Sequence, residues 1–408
     1  MKKSLFALAA TTAIVGAAQA QSSVTVYGLL DVGYVGANST ASNSAGTAAT
    51  GYTNGVKKTV TNQFGGVGAE NTSRLGFKGT EDLGGGKSAF FTIEFALNPE
   101  DQVLSGSGST VGGLSNRQTF VGLKKNGLGS TAIGLQYTPV FNASAATSPT
   151  QQNNVLGDVI YAGTTIASTV DGAGGTVNAS FTNRTANSLT FQSDKFAGFG
   201  VSALFTMNNT NATNSGTSVG GNTNASGYGL GADYTWNKLL VTAAYQNLKQ
   251  VTSSAIGTVQ PWTGAQPSNS LSTTSNGENI QDSQFLAGAT YDFGILKAYA
   301  QYVSRKASNV SNSSQYLKRS AEQIGVRSYI TPAVEAWASA GLGRYTAYGT
   351  NNPTANFNAW QLGSNYYLSK RTNLYAIYGQ QVNTTAAVGT ANGSASANNY
   401  AIGVRHSF

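Results

Sequence analysis

The sequence predicts an all-β chain, a 16-stranded antiparallel transmembrane β-barrel with short turns at one end and long loops at the other. Three observations predict it. Apolar residues alternate with polar or small ones at a period of two in segment after segment, as strands with two unlike faces require. The connections between these segments are alternately long and short. The 408 residues include 50 glycines, 20 tyrosines and 17 phenylalanines but only 10% charged residues, whereas helical domains favour Leu, Glu and Lys.

Residues 1–20, MKKSLFALAATTAIVGAAQA, stand apart from the rest. Lys2 and Lys3 precede an apolar run from Leu5 to Val15, and Ala18-Gln19-Ala20 has the small-residue form that a signal peptidase cuts. This is a secretory signal, too short and wrongly flanked for a membrane helix. It predicts a mature chain that starts at Gln21 and forms one domain, 21–408. No later stretch approaches the roughly 20 apolar residues of a spanning helix.

The strands follow in order. In 89-AFFTIEFAL-97, Phe91, Ile93, Phe95 and Leu97 share one face, and Phe90, Thr92, Glu94 and Ala96 the other. The same alternation runs through 199-FGVSALFTM-207, 228-YGLGADYTW-236 and 400-YAIGVRHSF-408. Sixteen strands are predicted, at about 22–35, 71–81, 87–97, 115–124, 129–137, 186–194, 198–207, 226–236, 238–247, 283–292, 295–305, 318–330, 333–345, 356–368, 371–382 and 397–408. Long Asn/Ser/Thr/Gly-rich segments such as 36–70, 138–185 and 248–282 follow odd-numbered strands; short turns such as 82–86, 126–128, 236–238 and 292–294 follow even-numbered ones. An even number of strands of this length with such asymmetry is the signature of a membrane barrel, with short periplasmic turns and long extracellular loops. An open secreted sandwich would leave exposed edges. Tyr27, Tyr137, Trp236, Tyr291, Trp360, Tyr366 and Tyr378, near strand ends, suit the two interfacial girdles.

Enzymatic and cofactor chemistry finds little support. The stretch 73-SRLGFKGTEDLGGGK-87 ends close to a phosphate-binding loop, yet the glycine required five residues before Gly86 is Glu81, and strand alternation rather than a helix follows. Glu81 and Asp82 have no further carboxylates at metal-ligand spacing. Gly84, Gly85 and Gly86 are therefore read as the positive-φ residues of a tight turn. There is no cysteine, and the one histidine, His406, falls on the apolar parity of the last strand. Neither a catalytic triad nor a metal or cofactor site is expected. The net charge of +8, which falls to +6 once Lys2 and Lys3 are removed, is scattered along the chain. That pattern and the export signal argue against nucleic acid as a partner.

The remaining candidates lie on the inner parity. With Leu75 and Phe77 turned to lipid, Arg74 and Lys78 face the lumen. Counting from Leu189 and Phe191 puts Arg184 on the lumen side, and Lys297, Arg305, Arg327 and Arg405 also fall on inner parity. Glu94 sits on a polar face as pore wall. Guanidinium groups in a confined pore concentrate anions and repel cations.

The segments 22-SSVTVYG-28, 73-SRLGFKGTEDLGGG-86, 116-NRQTFVGL-123, 137-YTP-139, 368-LSKRTNLYAIYG-379 and 402-IGVRHSF-408 resemble, in order along the whole mature chain, the general porins of β-proteobacteria. The resemblance implies a homotrimer in the outer membrane, surrounded by its lipid and lipopolysaccharide. It also implies a water-filled channel through which small hydrophilic solutes diffuse passively, with a preference for anions. The third extracellular loop, here 138–185, would fold into the barrel and narrow it opposite an arginine cluster carried onto Arg74, Arg117 and Arg184. Lys78, Glu94 and Asp158 complete the expected constriction. The C-terminal Phe408 resembles the signal read by the assembly machinery. Two departures stand out: Leu135 occupies a position where the family often has arginine, and Asp158 and Asp171 are the only acids in 138–185. Arg117 shares parity with Val121 and Leu123, so alternation alone turns it outward, and only a bulge would bring it into the pore. A substrate-selective porin with a binding site in the loop is the alternative; an outer-membrane lipase is disfavoured by the lone His406.

Overall fold

The computed structural model describes residues 23–43, 56–65, 68–99, 104–105, 114–160, 184–212, 221–251, 262–263, 266–267, 279–309, 316–347, 354–388 and 391–408. The expected signal segment, Asp171 and the 161–183 part of the expected loop lie outside them. The elements in chain order are β1 (Ser23–Asn43), β2 (Val56–Gly65), β3 (Arg74–Gly84), β4 (Lys87–Ala96), β5 (Asn116–Lys125), β6 (Gly129–Tyr137), α1 (Pro139–Thr147), β7 (Arg184–Ser193), β8 (Phe199–Ala212), β9 (Gly221–Trp236) and β10 (Leu239–Val251). There follow a two-residue ladder of β11 (Trp262–Thr263) and β12 (Gln266–Pro267), then β13 (Asn279–Asp292), β14 (Lys297–Asn309), β15 (Tyr316–Thr331), β16 (Val334–Ala347), β17 (Thr354–Tyr367), β18 (Thr372–Val388) and β19 (Ala391–Ser407).

Apart from the β11–β12 ladder, all strands join one antiparallel sheet of 17. It closes because β1 pairs with β19 over Leu29–Asn43 on one edge. On its other edge β1 pairs with β3 through Ser23–Leu29 and with β2 through Gly33–Ser42. β2 and β3 thus share one place, and the ring has sixteen. The expected count holds, but the region 36–70 is not a plain loop: β1 continues to Asn43, and the second barrel strand is made of two pieces. Between them, residues 68–73 leave the sheet and turn inward. The carboxylate of Asp31 caps this break, accepting hydrogen bonds from the backbone N–H groups of Glu70 (3.0 Å) and Asn71 (2.6 Å) and from the Tyr375 hydroxyl (2.6 Å).

The outward parity is apolar around the ring, with Val26, Phe205, Leu230, Ile324, Leu342 and Ile402 among its exposed side chains. This is what hydrocarbon demands, since every backbone polar group there must be paired within the sheet. The glycine turn reads as expected: Gly84, Gly85 and Gly86 have φ of 77°, 59° and 71°, and Asp82 Oδ1 accepts from the Gly84 N–H at 2.8 Å.

The packed core lies inside the ring, where residues 138–160 run along the inner wall. The strands give no helical pattern, yet α1 forms here. Thr138 caps it by accepting from the Phe141 N–H at 3.2 Å, and Pro139 occupies its first turn, a favoured start. Val140, Val159 and Ile160 are fully buried or nearly so, against Leu286, Val303, Tyr345 and Phe357. Burying such side chains stabilises by about 1.5–3 kcal/mol each. Three glutamines on the inner parity hold the loop's polar backbone. Gln301 donates to the Ser144 carbonyl (3.0 Å), Gln323 accepts from the Val159 N–H (2.8 Å), and Gln361 donates to the carbonyls of Val155 (3.1 Å) and Leu156 (2.9 Å). Glycines provide the room. A Cβ on Gly288, Gly325, Gly341 or Gly379 would stand within 2.5 Å of Thr147, Pro149, Val159 or Leu156, respectively.

Gly379→Val tests this seating, because even a bare Cβ would meet the Leu156 carbonyl oxygen at 1.7 Å. Protease cleavage within 138–160 is expected to rise and the thermal unfolding temperature to fall, with the β-sheet circular dichroism unchanged. Protection and melting equal to the parent chain would contradict the arrangement.

Candidate functional site

The candidate site is built on the inner parity of β1 and β3–β7, where 138–160 leaves the wall. Strand register places Tyr27, Gly76, Glu94 and Gln118 in a row. Gly76 has no side chain, and a Cβ there would meet the Tyr27 ring at 2.3 Å. The ring therefore lies flat across β3, and its hydroxyl reaches Glu94 Oε2 at 3.1 Å. Arg74 stands opposite Leu29 and Lys78 opposite Thr25, both on the Tyr27 face of the sheet. Lys78 Nζ lies 5.3 Å from the centre of the Tyr27 ring, within cation–π range. The Arg74 Nε donates to the Thr72 carbonyl at 2.9 Å, and Nη2 donates to Asn71 Oδ1.

Arg117 shows where simple alternation breaks. The register shifts between Glu94, which faces Gln118, and Phe95, which faces Asn116. Arg117 is the extra residue of a β-bulge, a device that re-aims a side chain. It is turned away from the parity of Val121 and Leu123 and buried: Nε bonds Glu94 Oε1 at 2.7 Å, and Nη2 donates to the Tyr137 hydroxyl at 3.1 Å. The outward orientation that alternation alone predicts is thus corrected.

Arg184 departs from the expectation in another way. It opens β7 instead of lying above it, and a second register shift separates it from Leu189. Asn187, at φ 52°, lies in this shift. Parity counted back from Leu189 therefore does not carry to Arg184, which stands opposite Tyr137. Its Nη1 donates to the Arg117 carbonyl at 3.1 Å, and its Cζ lies 5.6 Å from the Tyr137 ring centre. Tyr137 in turn stacks on Phe141 of α1 at 3.8 Å. Tyr27, Glu94, Arg117, Tyr137 and Arg184 are therefore one contiguous group, joined by Phe141 to the loop.

Asp158 does not join it. Its carboxylate is buried and turned into the loop, where it accepts from the Ser148 hydroxyl (3.2 Å), the Thr150 hydroxyl and the Ile160 N–H (2.8 Å). It acts as an internal staple, in the way short acidic side chains order backbone turns. Of the other inner-parity cations, Arg305 bonds Asp282 at 2.6 Å, Arg405 lies 3.5 Å from Glu70, and Lys297 lies over the Tyr299 ring at 5.2 Å. Arg327 bonds Glu335 at 2.8 Å and donates to the Pro149 carbonyl at 2.8 Å.

A second group, missed in the sequence, holds the far end of the loop. Asn154 donates its backbone N–H to the Ala69 carbonyl (2.9 Å) and its side-chain amide to the Gly68 carbonyl (2.6 Å), so the loop docks on the break between β2 and β3. Glu70 accepts from Asn365 (2.8 Å) and Asn373 (2.9 Å), and Arg319 from the wall donates to the Val159 carbonyl. The available signal was the recurrence of Gln246, Gln284, Gln301, Gln323 and Gln361 on inner parity within otherwise apolar strands. Among the described residues, no group of three or more His, Cys, Asp or Glu could hold a metal ion.

Comparison with known proteins converges on the same object. The Gram-negative porin family matches residues 7–386. An outer membrane porin protein of Bordetella pertussis is 28% identical over 438 aligned positions that span 100% of both chains. Outer membrane porin protein 32 of Delftia acidovorans is 36% identical over 139 residues, 34% of this chain and 33% of the relative. Among solved structures, an anion-selective porin from Comamonas acidovorans superposes with a TM-score of 0.63 at 22% identity, covering 95% of this chain and 100% of the other. The trimer form of OmpT from Vibrio cholerae gives 0.57 at 15% identity, covering 95% and 99%. These two likenesses show the shared barrel. With its sixteen-place ring and a family match over nearly its full length, the chain belongs to the Gram-negative porins and is a non-enzymatic channel of the outer membrane.

Proposed function

We propose that this porin conducts small hydrophilic solutes with a preference for anions, set where 138–160 narrows the barrel beside Arg74, Lys78 and Arg184. The observation that carries this reading is the charge balance of the inner wall. Glu70, Glu94, Asp282 and Glu335 each face an arginine, namely Arg405, Arg117, Arg305 and Arg327. These pairs cancel at a distance. Lys297 stands opposite Asp292, while Arg74, Lys78, Arg184 and Arg319 add positive charge that the carboxylates of Asp31 and Asp158 offset only in part, and in a narrow, low-dielectric channel even a few such charges raise the local anion concentration. The bias is modest because four of the wall arginines are compensated. Arg117 is read as a positioning residue: paired with Glu94, it holds Tyr137 and the loop root and contributes little net field.

We further infer that the working unit is a homotrimer, as the trimer form of the Vibrio cholerae relative and the family membership support.

Two measurements test these readings. In planar bilayers with a KCl gradient below about 0.1 M, where the screening length is about 10 Å or more, the parent channel is expected to show an anion-directed reversal potential. Arg74→Ala/Lys78→Ala should move it toward zero or cation preference. Arg117→Ala should instead lower stability by about 3–5 kcal/mol, because it strands a buried carboxylate, with Glu94→Gln restoring most of the loss. A potential unmoved by the first variant would sink the selectivity claim, and saturable solute block would favour a binding site in the pore. Analytical ultracentrifugation in detergent should give three chains per particle, and a monomer would refute the trimer.

A further inference from the structure

We propose that Arg305 and Arg319 hold a small monovalent anion of the chloride class between them, on the inner wall and apart from the group around Arg74 and Arg184. Arg305 on β14 and Arg319 on β15 are directly opposite, and both share the inner parity of the buried Val303 and Ala321. Like charges facing each other across a strand pair destabilise it. The wall supplies a counter-charge to one of the two. Asp282 accepts from Nε and Nη2 of Arg305 at 3.0 and 2.6 Å. It stands on β13, on the side of β14 away from β15, so about two strand spacings, or about 10 Å, separate it from the Arg319 strand.

Arg319 is 7% exposed, and its hydrogen-bond partners among the described residues are neutral: Nε donates to the Tyr345 hydroxyl (3.2 Å) and Nη2 to the Val159 carbonyl. Asp158, next to Val159 in the chain, turns its carboxylate to Ser148, Thr150 and the Ile160 N–H instead. The third nitrogen, Nη1, is buried and meets no acceptor among the described residues. Burying a cation with an unsatisfied N–H and no counter-ion is costly. The guanidinium is planar, with Nε and Nη2 on one edge, so Nη1 points away from Val159 and from Tyr345 on β16, toward β14 and Arg305. The ring centres of Phe357 and Tyr345 lie 4.7 and 5.7 Å from Cζ. They shield the faces of the group and leave its plane as the way in. Because Nη1 has almost no open surface, a compact ion fits there and a sulfate or an organic carboxylate does not. A water would accept the N–H but leave the charge in place. The same ion would strengthen the post that holds Val159, so its binding and the seating of 138–160 are coupled. Once loaded, Arg319 adds little to the field, and the anion bias rests on Arg74, Lys78 and Arg184.

The test uses the full chain purified in detergent, with potassium chloride replacing potassium gluconate stepwise at constant ionic strength. The melting temperature is expected to rise with chloride and to saturate, and sulfate should give no saturable rise. In crystals grown from potassium bromide, an anomalous peak should stand beside Arg319 Nη1. Arg319→Gln should abolish both the rise and the peak. Asp282→Asn separates a site from mere damage: by removing the counter-charge of the wall it should tighten chloride at least threefold. A rise that stays linear in chloride, a saturable rise with sulfate, or an undiminished rise in Arg319→Gln would overturn the proposal. So would an unchanged affinity in Asp282→Asn, or bromide found only beside Arg74 and Arg184. Arg74→Ala/Lys78→Ala should keep the full chloride-dependent rise, so this site and the selectivity of the constriction stand or fall separately.

Discussion

Inside a bilayer an unpaired backbone amide has no water to turn to, so the pairing of β1 with β19 on one edge and with β2 and β3 on the other is what permits every other feature of this molecule. A closed ring satisfies its own backbone and leaves no edge. That frees the side chains for two separate tasks. Outward positions across the membrane-spanning part need only be apolar, and most of them are. Inward positions can be polar, charged or absent, and the chain uses all three. The ring can even be interrupted on its inner side: the 68–73 segment leaves the sheet between β2 and β3, and the Asp31 carboxylate and Tyr375 hydroxyl supply partners that the ladder no longer provides.

The usual logic of a globular core is displaced onto the loop. Residues 138–160 carry the buried Val140, Val159 and Ile160, and the barrel wall receives them as a second layer would. The wall prepares this surface with glutamines that hold the loop's backbone and glycines that let it come close. An inward segment attached at its root through Tyr137 and Phe141, along its length through Gln301 and Gln323, and at its far end through Asn154 has few independent ways to move. The seat of 138–160, the proposed constriction, is therefore a property of the packed fold.

Much of the fold was legible in the sequence because membrane strands obey a rigid period. The alternation of Phe91, Ile93 and Phe95 against Thr92 and Glu94, and the spacing of short turns, sufficed for the count of places and for the glycine turn at 84–86. Arg74 and Lys78 were legible for the same reason, since no irregularity separates them from Leu75 and Phe77. Arg117 and Arg184 were not, because each is set by a register shift against its neighbour strand, and a bulge is a property of two strands together. Asp158, expected to complete the constriction, turns its carboxylate into the loop because its partners Ser148 and Thr150 are brought to it by a turn that no periodicity announces. The β2 strand escaped because 56-VKKTVTNQFG-65 lies within a polar stretch that reads as loop.

Residues 138–160, the proposed constriction, are held against the wall along their whole length. The chain has no cysteine, so a single introduced pair reports on itself alone. Thr147 and Gly288 are the natural positions, because a Cβ on Gly288 would lie 2.8 Å from that of Thr147, within about 1 Å of the Cβ spacing of a disulfide. Single-channel conductance of Thr147→Cys/Gly288→Cys measured before and after oxidation tests the claim most directly. A statically seated loop predicts rapid, nearly complete disulfide formation and the same conductance in both states. Failure to cross-link, or a conductance that changes when the bond closes, would show that 138–160 leaves the wall in the working channel.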